Sequence, residues 1–144
     1  MGRFAADVSQ LVKKTEDRLR YVALQSIQDV MEAAQQPQLG ITKGATSFVE
    51  GKIPVAEGEL RGSLKAELLG GASAVGPDSY AVVLSGYEVG DTMRFTWTAR
   101  HALPMELGFT ARNGRQVPGR FFVTRNAERF SSFVAARVAE ANAR

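Results

Sequence analysis

The side chains able to do chemistry are few. The chain has one histidine, His101, and no cysteine. Sites needing two imidazoles or a thiolate are therefore excluded, as are disulfides and cysteine-ligated zinc. His101, Glu106 and Asp91 are potential metal ligands, but their spacing matches no ligand pattern with a mechanism behind it. A strand-end histidine in a structural role is the expectation. Glu57 and Glu59 put two carboxylates on a glycine-flanked loop without a partner acid, which reads as solvated or cap-forming. Serines are many and the histidine is alone, so no Ser-His-Asp set stands out. Gly70-Gly71 lacks the Lys-Ser/Thr that a phosphate-binding loop requires. No catalytic residue, metal ligand or cofactor is expected, and the chain reads as a non-enzyme.

Arginine is the remaining chemistry. The net charge of +3 is unevenly spread: residues 1–44 carry +1, residues 45–111 carry −3 and residues 112–144 carry +5. Arg112, Arg115, Arg120, Arg125 and Arg129 could neutralise several phosphates, or dock onto an acidic neighbour. The nearby Phe121, Phe122, Phe130 and Phe133 fall at helical spacing and read as core, not as platforms for stacked bases. No helix-turn-helix or zinc-finger pattern accompanies them, so sequence-specific DNA binding is not expected.

Elements that must position these residues follow from periodicity. Phe4, Val8, Leu11, Thr15, Leu19, Val22, Ser26, Val30 and Ala33 recur at spacings of three and four, which predicts a helix over roughly 5–35. Pro37 is its stop signal. A second stripe, Val12, Leu19, Ala23, Ile27, Val30 and Ala34, lies beside the first. Such a helix is about 45 Å long at 1.5 Å per residue, more than a small domain needs. So wide an apolar face suggests contact beyond the chain's own sheet.

Residues 36–56 show no period and read as a mobile loop, in which Phe48, Val49 and Ile53 have no evident core to join and become partner-contact candidates. Three strands follow. Leu64, Ala66 and Leu68 line one, Tyr80, Val82 and Leu84 a second, and Met93, Phe95, Trp97 and Ala99 a third. Short connections predict an antiparallel meander. Pro104-Met105-Glu106-Leu107, closed by Gly108, reads as one helical turn. Residues 110–119 read as a polar loop. A final helix over roughly 121–142 has Val123, Ala127, Phe130, Val134, Val138 and Ala141 on its apolar face.

The fold class expected is α+β: a long N-terminal helix, a three- to four-stranded antiparallel sheet, and a C-terminal helix packed on one face. A length of 144 residues with 44% hydrophobic and 23% charged residues suits one globular domain over 1–144, not a disordered chain. No apolar run reaches the roughly 20 residues of a membrane span, and no membrane partner is expected. The first residues have no apolar signal-peptide region, and Ala6 stands where a myristoylation signal needs Ser or Thr, so synthesis in the cytoplasm is expected.

Three stretches carry a family resemblance. Pro54-Val55-Ala56-Glu57-Gly58-Glu59-Leu60-Arg61-Gly62-Ser63-Leu64 is similar to the Pro-Val-x-Thr-Gly-x-Leu-Arg-x-Ser motif of small tail-completion, or neck, proteins of long-tailed bacteriophages. Ala102-Leu103-Pro104-Met105-Glu106-Leu107-Gly108 is similar to that family's Ala-x-x-x-Glu-x-Gly turn. Gly119-Arg120-Phe121-Phe122 before a helix resembles its ending. Glu57 stands where the family usually has Thr, and Leu103 where an aromatic or Arg is common. Physically, Pro54 fixes an extended entry, Gly58 permits a tight turn, and Glu59-Leu60-Arg61 forms a helical turn with Leu60 inward.

The resemblance implies a structural virion protein, made in the host cytoplasm and placed in the phage neck. There it would form a homo-oligomeric ring, a hexamer, at the head-proximal end of the tail. Head-closure, tail-terminator and tail-tube proteins would be its neighbours, with DNA passing through the lumen and touched only non-specifically. A ring needs a heterologous interface with two patches per subunit. The candidates are the second stripe of the long helix, the basic C-terminal helix and the acidic middle, with Arg61, Glu57, Glu106, Phe48, Val49, Arg112, Arg115 and Arg120 as individual residues. Arg61 is expected to pair with Glu57 or Glu106, or to hold a neighbour. A tail terminator or head-closure ring protein is the alternative within this class, and a small basic non-specific DNA-binding protein is the alternative outside it.

Overall fold

From Arg3 to Ala34 the chain contains neither proline nor glycine, and it forms one uninterrupted helix, α1, Gly2–Ala34. The computed structural model describes residues 2–40, 49–55 and 58–143, and of residues 2–6 the helical backbone alone. At 1.5 Å per residue α1 is about 50 Å long. Its last backbone bonds are Gln35 N–H to Met31 O at 3.0 Å and Gln36 N–H to Ala33 O at 3.2 Å. Pro37 then has no N–H to continue the ladder.

After α1 come β1 (Pro37–Leu39), β2 (Ile53–Val55), α2 (Glu59–Gly62), β3 (Leu64–Leu68), β4 (Ser73–Val75), α3 (Ser79–Ser85) and β5 (Met93–Trp97). The chain closes with α4 (Ala102–Leu107), β6 (Gly108–Thr110), β7 (Gln116–Pro118), α5 (Thr124–Glu128) and α6 (Phe130–Asn142). The fold is mixed α and β, with small sheets between a long N-terminal helix and a C-terminal one.

The central sheet is antiparallel in the order β4-β3-β5, with Leu64 opposite Trp97, Ala66 opposite Phe95 and Leu68 opposite Met93. That face turns inward, while Glu67 opposite Arg94 and Lys65 opposite Thr96 turn outward, as side-chain alternation in a half-buried sheet requires. Met31 of α1, Leu64, and Tyr80 and Leu84 of α3 form one apolar cluster, joined by Leu24, Ile27, Met93, Phe95 and Trp97. Ile53, Leu60 and Phe122 form a second, against which Trp97, Ala99, Ala102, Met105 and Val123 pack. Trp97 belongs to both, and its ring meets Phe122 edge-on at 5.4 Å.

Gln35 sits at the junction, 2% exposed. Its Nε2 donates to Arg61 O at 3.0 Å and Pro77 O at 2.8 Å, and its Oε1 accepts from Trp97 Nε1 at 2.9 Å. Its own carbonyl accepts from Arg61 Nε at 2.8 Å. One side chain thus ties the end of α1 to α2, to the turn before α3 and to β5.

Several expectations are corrected. Tyr80, Val82 and Leu84 do not line a strand: residues 79–85 are helix α3, which buries Ser79, Tyr80, Val83 and Leu84 and leaves Val82 50% exposed. That is a helical spacing, and α3 packs against β3 and β4. The second strand of the sheet is instead β4, which lies between the first expected strand and residues 79–85. The loop expected over 36–56 contains the parallel pair β1–β2, with Pro37 opposite Ile53 and Leu39 opposite Val55. Ile53 is core at 0% exposure, not a partner contact. Residues 41–48 lie outside the described residues. The polar loop at 110–119 is a hairpin of β6 and β7, whose turn is held by Ala111 N–H to Arg115 O at 2.8 Å and by Gly114 at φ +82°.

The C-terminal helix is broken at Arg129 into α5 and α6, and α6 packs mainly on α1 instead of the sheet. Of its expected apolar face only Ala141 is buried, while Ala127, Phe130 and Val138 are exposed. The reason is a polar clamp. Arg137 donates from Nε and Nη2 to Asp29 at 2.9 and 2.8 Å and from Nη1 to Glu140 at 2.8 Å. Tyr21 donates to Glu140. These pairs turn the 133–137–140 side of α6 toward α1. The hydrogen bonds to Asp29 and then to Glu140 raise the Arg137 pKa further above its ordinary value.

Replacing Gln35 by Leu leaves Arg61 O, Pro77 O and the Trp97 indole N–H buried without partners. It is expected to lower stability by about 3 kcal/mol, read as a drop in the urea midpoint with unchanged slope.

Candidate assembly surface

All described side chains of α1 from Asp7 to Leu19 are exposed. Val8 is 44%, Leu11 65%, Val12 51% and Leu19 55% exposed. They continue the stripe that becomes Val22, half-buried, and Ser26, fully buried, once the helix enters the body. The cause is the reach of α6. It runs antiparallel to α1, with Arg137 on Asp29 and Glu140 on Tyr21, and it ends at Asn142. Beyond that point about 20 Å of helix, 13 residues at 1.5 Å each, projects with its apolar stripe uncovered. Arg20 marks the boundary, donating to Tyr87 O at 2.8 Å beside Glu88 at 3.8 Å. A segment this short is marginal as an isolated helix in water.

The stretches that carried the family resemblance form a structural corner. Glu106 is 9% exposed and accepts from Val123 N–H at 3.1 Å, Thr124 N–H at 2.8 Å and Thr124 Oγ1 at 2.8 Å, so its carboxylate holds the start of α5. Arg120 N–H bonds Met105 O at 2.8 Å and Phe121 N–H bonds Glu106 O at 3.1 Å. The two backbones are so close that a Cβ on Gly119 would sit 2.4 Å from Glu106 O, and one on Gly108 2.7 Å from Val117 O. The turn puts Phe121 at φ +49°, a left-handed conformation uncommon outside glycine. Leu60, 2% exposed, points into the core from α2 as the spacing predicted.

The interface candidates divide accordingly. Arg120 is 0% exposed and donates from Nη1 to Pro118 O at 2.8 Å, so it is interior, and burial lowers its pKa below the ordinary arginine value. Glu106 is likewise interior, its oxygens occupied by α5. Arg61 is half-buried and bonds the Gln35 carbonyl instead of Glu106. Arg112 and Arg115 are exposed on the β6–β7 turn, and Val49 is 54% exposed. Phe48 and Glu57 lie outside the described residues.

Within the basic C-terminal segment, Arg125 and Arg137 are answered by carboxylates of the chain itself. Arg125 pairs with Glu50 at 2.8 Å and Glu128 at 3.4 Å, and its pKa is raised first by the hydrogen bond to Glu50. The Arg129 guanidinium lies 4.7 Å from the centre of the Phe133 ring. These two arginines, with Gly51, Lys52, Asn126 and Ser132, border an open cleft of about 530 Å³. No group of three or more His, Asp or Glu able to hold a metal occurs among the described residues, and His101 is half-buried before α4. No helix among the described residues is long and apolar enough to cross a membrane.

Two residues that matter escaped the sequence reading. Gln35 is one; Asn126 is the other, 2% exposed and donating from Nδ2 to Gly51 O at 2.8 Å and Phe122 O at 2.7 Å. The one available signal was Trp97, since a buried indole N–H needs an acceptor.

Comparison with known families, with curated proteins and with solved structures finds nothing that matches this chain.

Glu106→Ala removes the acceptor for two backbone N–H groups and a hydroxyl at the start of α5. A loss of about 2 kcal/mol is expected by thermal unfolding, and Glu106→Gln, which keeps one acceptor oxygen, is expected to lose less.

Proposed function

We propose that the chain is a structural subunit of a long-tailed bacteriophage, a tail-completion protein that forms a ring at the head-proximal end of the tail and joins tail to head. The observation that carries this reading is the apolar stripe of α1 running on into solvent past the end of α6. A row of large aliphatic side chains along one edge of a helix is what a protein–protein contact requires. The resemblance of residues 54–64, 102–108 and 119–122 to the neck family supplies the place of assembly. A hexamer is the subunit count that the resemblance implies, and tail-terminator or head-closure position is the alternative within the same class. The DNA-binding alternative is weakened by the carboxylates that already neutralise Arg125.

The test is electron microscopy of lysates in which the phage producing this chain lacks its gene, complemented by either the wild-type chain or Leu11→Asp/Leu19→Asp. Deletion is expected to leave filled heads and finished tails unjoined. The double variant is expected to fail to rescue them while changing the unfolding free energy by no more than about 0.5 kcal/mol per site, as exposed positions do. Normal infectious particles after deletion would overturn the reading.

A further inference from the structure

We infer that in the free protein the projecting half of α1 is covered by the same segment of a second copy, the two helices antiparallel about a two-fold axis near residues 12–13. The inference rests on reading the α1 projection as an assembly surface, and it concerns the subunit before it meets other components.

On a helix turning about 100° per residue, Val8, Leu11, Val12, Thr15 and Leu19 share one arc of roughly 100°. Thr15 belongs on an apolar arc because its hydroxyl is turned back to Leu11 O at 2.9 Å. One border of the arc carries Asp7, Lys14 and Arg18, and the other carries Ser9 and Glu16. In an antiparallel, isologous pair each border meets the same border of the other copy in reverse order. Asp7 of each copy then lies opposite Arg18 of the other and about one turn from its Lys14, twice over, while the two Glu16 residues stay far apart. Asp7, Lys14 and Arg18 are exposed, and none has an ion-pair partner among the described residues.

A parallel pair is excluded by the fold itself. From Tyr21 onward the same side of α1 is occupied by α6, held there by Glu140 and Arg137. A parallel second helix would run into it, whereas the body of an antiparallel copy lies beyond Asp7, away from α6. The overlap is three to four helical turns, below the ~1,200 Å² of total burial where stable interfaces begin, so the pair is reversible and concentration-dependent. Reversibility suits a stripe that must later be surrendered to a ring.

Sedimentation equilibrium of the purified full chain over a concentration series tests this, with circular dichroism to show that each variant is folded. The mass is expected to rise from one chain of 15.6 kDa toward two. Asp7→Lys alone and Lys14→Asp/Arg18→Asp alone each bring like charges together and are expected to weaken pairing at least tenfold. Mixing these two variants makes every border contact complementary and is expected to restore dimers. Because the chain has no cysteine, single-cysteine variants report the axis directly. Val12→Cys is expected to form a disulfide-linked dimer on mild oxidation and Val8→Cys is not. A monomer at every concentration, no recovery on mixing, or equal cross-linking at positions 8 and 12 would each overturn the pairing. None of these outcomes bears on the joining of heads to tails, which the deletion lysates score separately.

Discussion

The amide of Gln35 ties together the segments that meet where the two apolar clusters join. Two apolar clusters, one under the sheet and one under the α2–α5 corner, are each too small to order a chain of this length alone. Trp97 bridges them by ring contact, and its indole N–H must find an acceptor once the ring is buried. Gln35 Oε1 is that acceptor. With the Nε2 donor spent on Arg61 O and Pro77 O, the amide is satisfied on both sides, and four segments distant in sequence are held in one register. A buried amide costs free energy when half-satisfied and fixes a unique arrangement when complete. The arginine of the neck-like motif enters the same knot through the Gln35 carbonyl, so Arg61 reads more simply as a structural residue than as a hand extended to a neighbour.

The second constraint is the corner between α4 and α5. Glycine at 108 and 119 lets two backbones approach where any Cβ would collide, and Glu106 then reaches the first N–H groups of α5. That contact sets the direction in which the C-terminal helices leave. The antiparallel course of α6 along α1 is then held by Arg137 on Asp29 and by Tyr21 on Glu140. The stretches 102–108 and 119–122 are spent on this corner, with Glu106 and Arg120 interior.

Much of this was legible in the residue pattern, and the failures have physical causes. α1, β3, β5, α2 and α4 declare themselves because local periodicity or turn chemistry is enough. Residues 79–85 do not: Tyr80, Val82 and Leu84 alternate as a strand would, yet positions 79, 80, 83 and 84 fit a helix equally well. Only packing on β3 decides between them. The β1–β2 pair is parallel and its partners are 16 residues apart, so nothing local announces it. β6 and β7 are three residues each, too short for alternation to register. α6 was read by its aliphatic residues, but Arg137 and Glu140 chose the face, because two charge-assisted bonds to Asp29 outweigh half-exposing Phe130 and Val138. Arg120 carries no sign of burial in sequence, since an arginine beside glycine is ordinarily solvated.

What remains is why such a chain should expose valine and leucine along 20 Å of helix at all. The segment mixes both signs of charge on its polar side, Lys13 and Lys14 beside Glu16, Asp17 and Arg18, which is a surface tuned for solubility. Had solubility been the whole requirement, polar residues at 8, 11, 12 and 19 would serve it better and preserve helix propensity. With 44–65% of each residue in water, burial would recover a part of the roughly 1.5–3 kcal/mol that fully burying such a side chain is worth. Four of them in line make an apolar stripe that the described residues leave exposed. The projecting helix is continuous with the part of α1 that the Arg137 clamp holds to α6. A stripe with charged borders is the kind of surface the proposed ring would use, since a closed assembly demands a directional contact of its subunits.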